Sequence, residues 1–171
     1  MLLSKRSVDH RFLYRFRHVA LLTCLSLGLA PSCLAGDAMS AGILSKDMAT
    51  IHLLVGRQVI EVEVAATAGK RSRGLMHRQS MMPDHGMLFV FPNAEKFCMW
   101  MRNTMIPLSV AFLDEEGRIL NIEEMLPQSD TPHCAAKNAR YALEMNSGWF
   151  KRQCVGVGLK LKGIGGNLPV N

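Results

Sequence analysis

Beyond its first 30 residues the chain lacks any uninterrupted apolar run approaching the roughly 20 residues that a membrane-spanning helix requires. It lacks a Cys-x-x-Cys pair, which removes the signature of a thioredoxin-like redox protein. It has no internal repeat and no complete catalytic signature, so motifs alone name no reaction, no catalytic residue and no cofactor. Long helical crossovers between strand patterns are missing too, which disfavours a parallel sheet built from βαβ units.

Net charge is also scarce once its location is considered. The whole chain has 20 basic and 14 acidic residues. Residues 1–35 hold five of the basic residues and one acid, Asp9, so 36–171 carry 15 against 13, near +2. The high overall charge therefore belongs largely to the N-terminus and gives no support for nucleic-acid binding.

What is present begins with Lys5, Arg6, Arg11, Arg15 and Arg17, followed by an apolar run over residues 19–30. Twelve residues are too few to cross a bilayer, and the small residues after them offer a cleavage site behind Ala35, with Cys33 third from the end. The expectation is a secretory signal peptide over 1–35, a flexible lead-in over 36–48 and a single domain over 49–171. An uncleaved anchor is the alternative, and lipoprotein processing at Cys33 is disfavoured by Pro31. The location expected is periplasmic or secreted, with no stable membrane span after cleavage. The remaining 171 − 35 = 136 residues suffice to bury roughly two-thirds of the unfolded surface, so no metal or disulfide is obligatory.

The pattern from Thr50 is mainly β. "TIHLLVG" and "QVIEVEVA" read as short strands about a turn at Gly56, the second with Ile60, Val62 and Val64 on one side. Thr67 is an N-cap candidate for a short helix that turns Leu75 and Met76 inward. "MPDHG" is a turn, and "MLFVF" a strand buried on both faces. "LSVAFLDEEGRILNIEE" is a hairpin in which Leu108, Val110 and Phe112 alternate. A polar loop over 127–138 precedes "RYALEM", a strand with Tyr141, Leu143 and Met145 on one face. One helical turn at "SGWFKRQCV" and a closing strand at "GLKLKG" complete the chain. These elements predict a mainly β domain, a compact β sandwich or squashed barrel with one or two short helices.

"RGLMHR", "MPDHGMLFVF", "MWMRNTMIPLSVAFLDEEGRI" and "YALEMNSGW" occur in that order. In this the chain closely resembles the domain of unknown function 192 family over residues 51–162. The resemblance implies a jelly-roll-like β domain, often exported, and carries no activity. Two positions depart from the family pattern: Ser109 stands where an aspartate is typical after Pro-Leu, and Leu159 where one is typical after Gly158. Loss of both carboxylates favours binding over hydrolysis if the two served one site.

Three cysteines remain beyond the leader. Cys98 and Cys134 are the expected disulfide, since Cys134 lies in a long loop that gains from tethering, and Cys154 is left over. Seven methionines fall within 76–105 and, with His77, His85 and His133, raise a soft-metal alternative, Cu(I); core filling explains most of them. A hydrolase assembled from Asp84, His85 and Cys98 is a weaker alternative. Packing explains least the polar residues set inside apolar motifs. Arg73, His85, Trp100, Arg102, Asn103 and Thr104 are therefore the candidate ligand-binding set, aromatic wall and fixed polar groups together. Glu144 is read as solvent-facing or paired with Arg73 or Arg102. The expected role is an exported domain binding a small molecule, a glycan or an envelope protein at a polar cleft.

Overall fold

The computed structural model describes residues 48–165 and 168; the expected leader and almost all of the lead-in lie outside the described residues. Ten elements follow in order: β1 Thr50–Val55, β2 Gln58–Ala65, α1 Ala68–Arg73, β3 His85–Glu95, β4 Cys98–Met99, β5 Leu108–Leu113, β6 Ile119–Met125, β7 His133–Cys134, β8 Ala139–Asn146 and α2 Trp149–Arg152. Six strands make one mixed sheet in the order β1-β2-β3-β8-β5-β6, and β4 with β7 forms a separate two-stranded ribbon.

The architecture is mainly β, as expected, but it is not two stacked sheets of comparable size. One sheet carries a core cluster on each face, and its two covers are made largely of helices, loops and the ribbon. Side chains alternate across a strand, so β3 sends Leu88 and Val90 to one cluster and Met87 and Phe89 to the other. The first cluster is covered by Trp149 and Phe150 of α2 and by Val155 and Leu161 of the tail. The second is covered by Leu75 after α1, by Met101 and Ile106 after β4, and by Ala135.

No closed barrel forms among the described residues, since β1 and β6 remain the two ends of the strand order. The C-terminal tail nevertheless bonds to both ends. Leu54 of β1 exchanges two backbone hydrogen bonds of 3.0 Å with Lys162, while Ile119 of β6 donates to Leu159 at 2.9 Å and accepts from Gly158 at 2.8 Å. The expected closing strand is thus a pair of isolated bridges, at Lys160 and Lys162.

One pairing reverses an expectation. β2 and β3 run parallel, with Val62 opposite Gly86 and Val64 opposite Leu88. A parallel pair needs a crossover of about a dozen residues or more, and residues 66–84 supply that length with only a six-residue helix. Gly86 is required where this strand meets its other neighbour: a Cβ there would lie 2.5 Å from the Glu144 carbonyl oxygen and 2.5 Å from the Met145 sulfur.

The crossover is shaped by local signals. Thr67 caps α1, its hydroxyl accepting from the Lys70 N–H at 3.2 Å. Gly74, at φ +46°, ends the helix before Leu75 and Met76, which therefore turn inward from the loop after the helix instead of from its face. Leu75 is buried, and that places the helix over the second face of the sheet.

Candidate functional site

Among the described residues, four polar or charged side chains are buried: Glu63, Thr104, Ser109 and Glu144. A buried polar group requires a partner or a reason. Glu63 receives a fork from Arg78, whose two nitrogens stand 2.5 and 2.7 Å from its carboxylate oxygens. Ser109 donates to Glu124 at 2.6 Å and accepts from the Gly148 N–H at 2.7 Å. Both are accounted for by structure. The other two, Thr104 and Glu144, border the same cleft.

That cleft has a volume of about 320 Å³ and lies between α1 with its following loop and the β4 segment. Ser72, Arg73 and Met76 form one wall; Met99 and Trp100 form the other; Phe89, Phe91, Thr104 and Glu144 also border it. Mixed aromatic walls with a few fixed polar groups, at this size, are the usual make-up of a small-ligand site.

Glu144 is 3 % exposed and lies on the strand face opposite that of Leu143 and Met145. It is neither solvent-facing nor ion-paired: none of the ion pairs among the described residues includes it. Burial alone pushes its carboxyl from 4.5 up to about 8. Near neutral pH it is therefore mostly the uncharged acid, able to donate as well as accept.

The expected binding residues divide. Arg73, Trp100 and Thr104 line the cleft. His85 borders a separate small recess with Glu63, Arg78 and Met82. Arg102 turns away, its guanidinium 4.5 Å from the centre of the Trp100 ring and its Nε 2.8 Å from Asp130. Asn103 is exposed in a left-handed turn at φ +57°, a conformation asparagine tolerates better than most residues, and its carbonyl accepts from the His77 N–H at 2.8 Å. Its service is to the turn. Glu144 joins the set by its burial, which no local pattern in "YALEM" announces.

The sulfurs divide between a crosslink, the core and the surface. Cys98 and Cys134 sit directly opposite each other across the ribbon and form the disulfide. Cys154 is free and exposed. Met87 and Met101 are buried in the second core cluster, whereas Met76 and Met99 border the cleft. With Cys98 oxidised, the Met/His/Cys set has lost its thiolate, and no cluster of three His, Cys, Asp or Glu suited to a metal occurs among the described residues. The Asp84–His85–Cys98 grouping does not form either: Asp84 accepts from the Trp149 indole at 3.0 Å and Cys98 is crosslinked.

The two family departures lie away from the cleft. Ser109 shares its strand face with Ala111 and Leu113, opposite that of Val110, which pairs with Glu144. Leu159 packs against the first core cluster. Their missing carboxylates therefore say nothing about the chemistry of the cleft, and do not favour binding over hydrolysis there.

The disulfide fits an oxidising, extracytoplasmic setting. Among the described residues no helix is long and apolar enough to cross a membrane. A solved structure from Sinorhizobium meliloti 1021, carrying a provisional label of transcription regulator, is 36% identical at a TM-score of 0.64. The match covers 67% of this chain and 94% of that one. A protein of unknown function from Novosphingobium aromaticivorans DSM 12444 is 31% identical at a TM-score of 0.67, covering 71% of this chain and 91% of that one. No curated protein matches. The model of the DUF192 family, described as an uncharacterised ACR, matches residues 51–163, and the chain belongs to that family.

Proposed function

We propose that this chain is an exported, periplasmic or secreted binding domain whose small ligand enters the cleft between α1 and β4. The observation that carries the reading is Glu144, a buried carboxyl without an ion pair, held at the cleft beside Thr104. Keeping such a group uncharged in an apolar sheet costs stability, and pKa values perturbed by burial inside clefts mark functional sites more often than they mark scaffolding. Export agrees with the basic, apolar N-terminus and with the disulfide. The regulator label of the Sinorhizobium protein is not carried over, because residues 36–171 are close to charge balance.

A fragment library screened by amide chemical shifts tests the proposal. Hits are expected to move Gly74, Leu75 and Thr104 together, and Trp100→Ala is expected to weaken them by about tenfold, a value typical of losing an aromatic anchor. Shifts confined to other surfaces, or hits indifferent to Trp100→Ala, count against it.

A further inference from the structure

We infer that the cleft takes an uncharged, hydroxylated ring, a neutral monosaccharide or the end residue of a neutral glycan, set against Trp100 with Glu144 and Thr104 as its hydrogen-bonding partners. The inference rests on the cleft being a ligand site.

The charges around it disfavour the simpler alternatives. An anion would have to share arginines that already bond within the chain. The Arg71 guanidinium donates to the carbonyls of Ala66 and Val90 and lies 5.3 Å from the centre of the Phe91 ring. Arg73 is also engaged within the chain. A cation fares worse, since both arginines border the cleft and its one carboxyl is held uncharged by burial. A purely apolar guest would leave Glu144 and Thr104 facing it without partners, at about 1–3 kcal/mol for each such group.

A ring bearing hydroxyls meets these conditions. Each hydroxyl both donates and accepts, matching a protonated carboxyl and a threonine hydroxyl. Trp100 supplies the apolar face: it is 52% exposed at the edge of the cleft, and Arg102, itself paired with Asp130, lies against the indole and favours one orientation of it. A platform orientated in advance loses less entropy on binding.

The groups governing Glu144 are few. Arg71 and Arg73 are the other charged residues described at the cleft; in the same row Glu63 lies beyond Met87, neutralised by Arg78, and Glu123 lies beyond Val110, 3.9 Å from His133. Raising the pH through about 8 ionises Glu144 and removes its donor.

The test uses the disulfide-bonded chain titrated with glucose, N-acetylglucosamine and their disaccharides, beside glucuronate, glucosamine and toluene. Trp100 emission and the Gly74, Leu75 and Thr104 amides report binding. Neutral sugars are expected to bind at least about tenfold more tightly than the charged ones at pH 7, a difference that free-energy arithmetic makes easy to resolve. Trp100→Ala is expected to abolish saturation. Glu144→Gln cannot ionise, so, whatever its affinity at pH 7, its binding should stay level to pH 9, where the parent's weakens. If charged sugars or toluene move the cleft amides and neutral sugars do not, the inference falls while the binding-site reading stands. If no probe moves them, both fall.

Discussion

Two buried carboxylates share one row on one face of the sheet: Glu63 of β2 lies beside Met87 of β3, which lies beside Glu144 of β8, and the row runs on through Val110 of β5 to the half-buried Glu123 of β6. Glu63 and Glu144 are both almost fully buried, but only Glu63 has an arginine. The difference has a pH signature. In the unfolded chain Glu144 ionises near 4.5, whereas in the fold it holds its proton to about 8. Between those values the native state binds more protons, so stability is greatest below the lower value and falls as pH rises through the higher one. The loss amounts to a few kcal/mol, and Glu144→Gln removes it. Chemical unfolding of both proteins from pH 5 to pH 9 should therefore give a falling curve for the parent and a flatter one for the variant. Parallel curves would mean that Glu144 titrates normally. The sequence could not place this residue, because "YALEM" states which residues share a face but not that the loop after α1 and the segment after β4 cover the second face.

At the scale of elements, the Ser109 position joins three of them through one carboxylate. Ser109 of β5 pairs directly with Glu124 of β6. Glu124 accepts from the hydroxyls of Ser109 and Ser147, at 2.6 and 2.8 Å, and from the Gly148 N–H at 3.1 Å. These bonds pin the turn between β8 and α2, where Gly148 adopts φ +71°. Ser109, where the family resemblance implies an aspartate, is thus part of a turn clasp centred on Glu124. Glu124→Ala should cost about 2–3 kcal/mol, since several charge-assisted bonds go at once. Adding Ser109→Asp to it should restore most of the loss in urea unfolding; no rescue would separate the two positions. The ribbon has its own clasp. With Cys98 and Cys134 separated by 36 positions in sequence, the paired substitution Cys98→Ser/Cys134→Ser should cost up to about 4 kcal/mol in the chain-entropy model. Because β4 bears Met99 and leads into Trp100, quenching of Trp100 by acrylamide should rise in that variant even where the chain remains folded.

For the whole molecule, the strands themselves were legible because period-two patterns and bounding glycines are local: the β5–β6 hairpin and the two-faced β3 follow directly from "LSVAFLDEEGRIL" and "MLFVF". Strand order was not legible. The parallel β2–β3 pair depends on where a 66–84 crossover lands, and nothing within either strand encodes that. Nor does "GLKLKG" reveal that its backbone serves two strands at opposite ends of one sheet. Edge strands left open invite pairing with other chains, and a tail that bonds both edges blunts that hazard at one end of each. The side chain that anchors this tail is Leu161, 1% exposed among the first core cluster. Leu161→Ala should cost about 2–4 kcal/mol through the cavity it leaves. Its distinctive consequence is a paired one. The Leu54 and Ile119 amides, which bond to Lys162 and Leu159, should lose hydrogen-exchange protection together, while Leu143 at the sheet centre keeps more of its own. Two edges that loosen independently, or a uniform loss across the sheet, would show that the tail merely packs and does not tie the edges to each other.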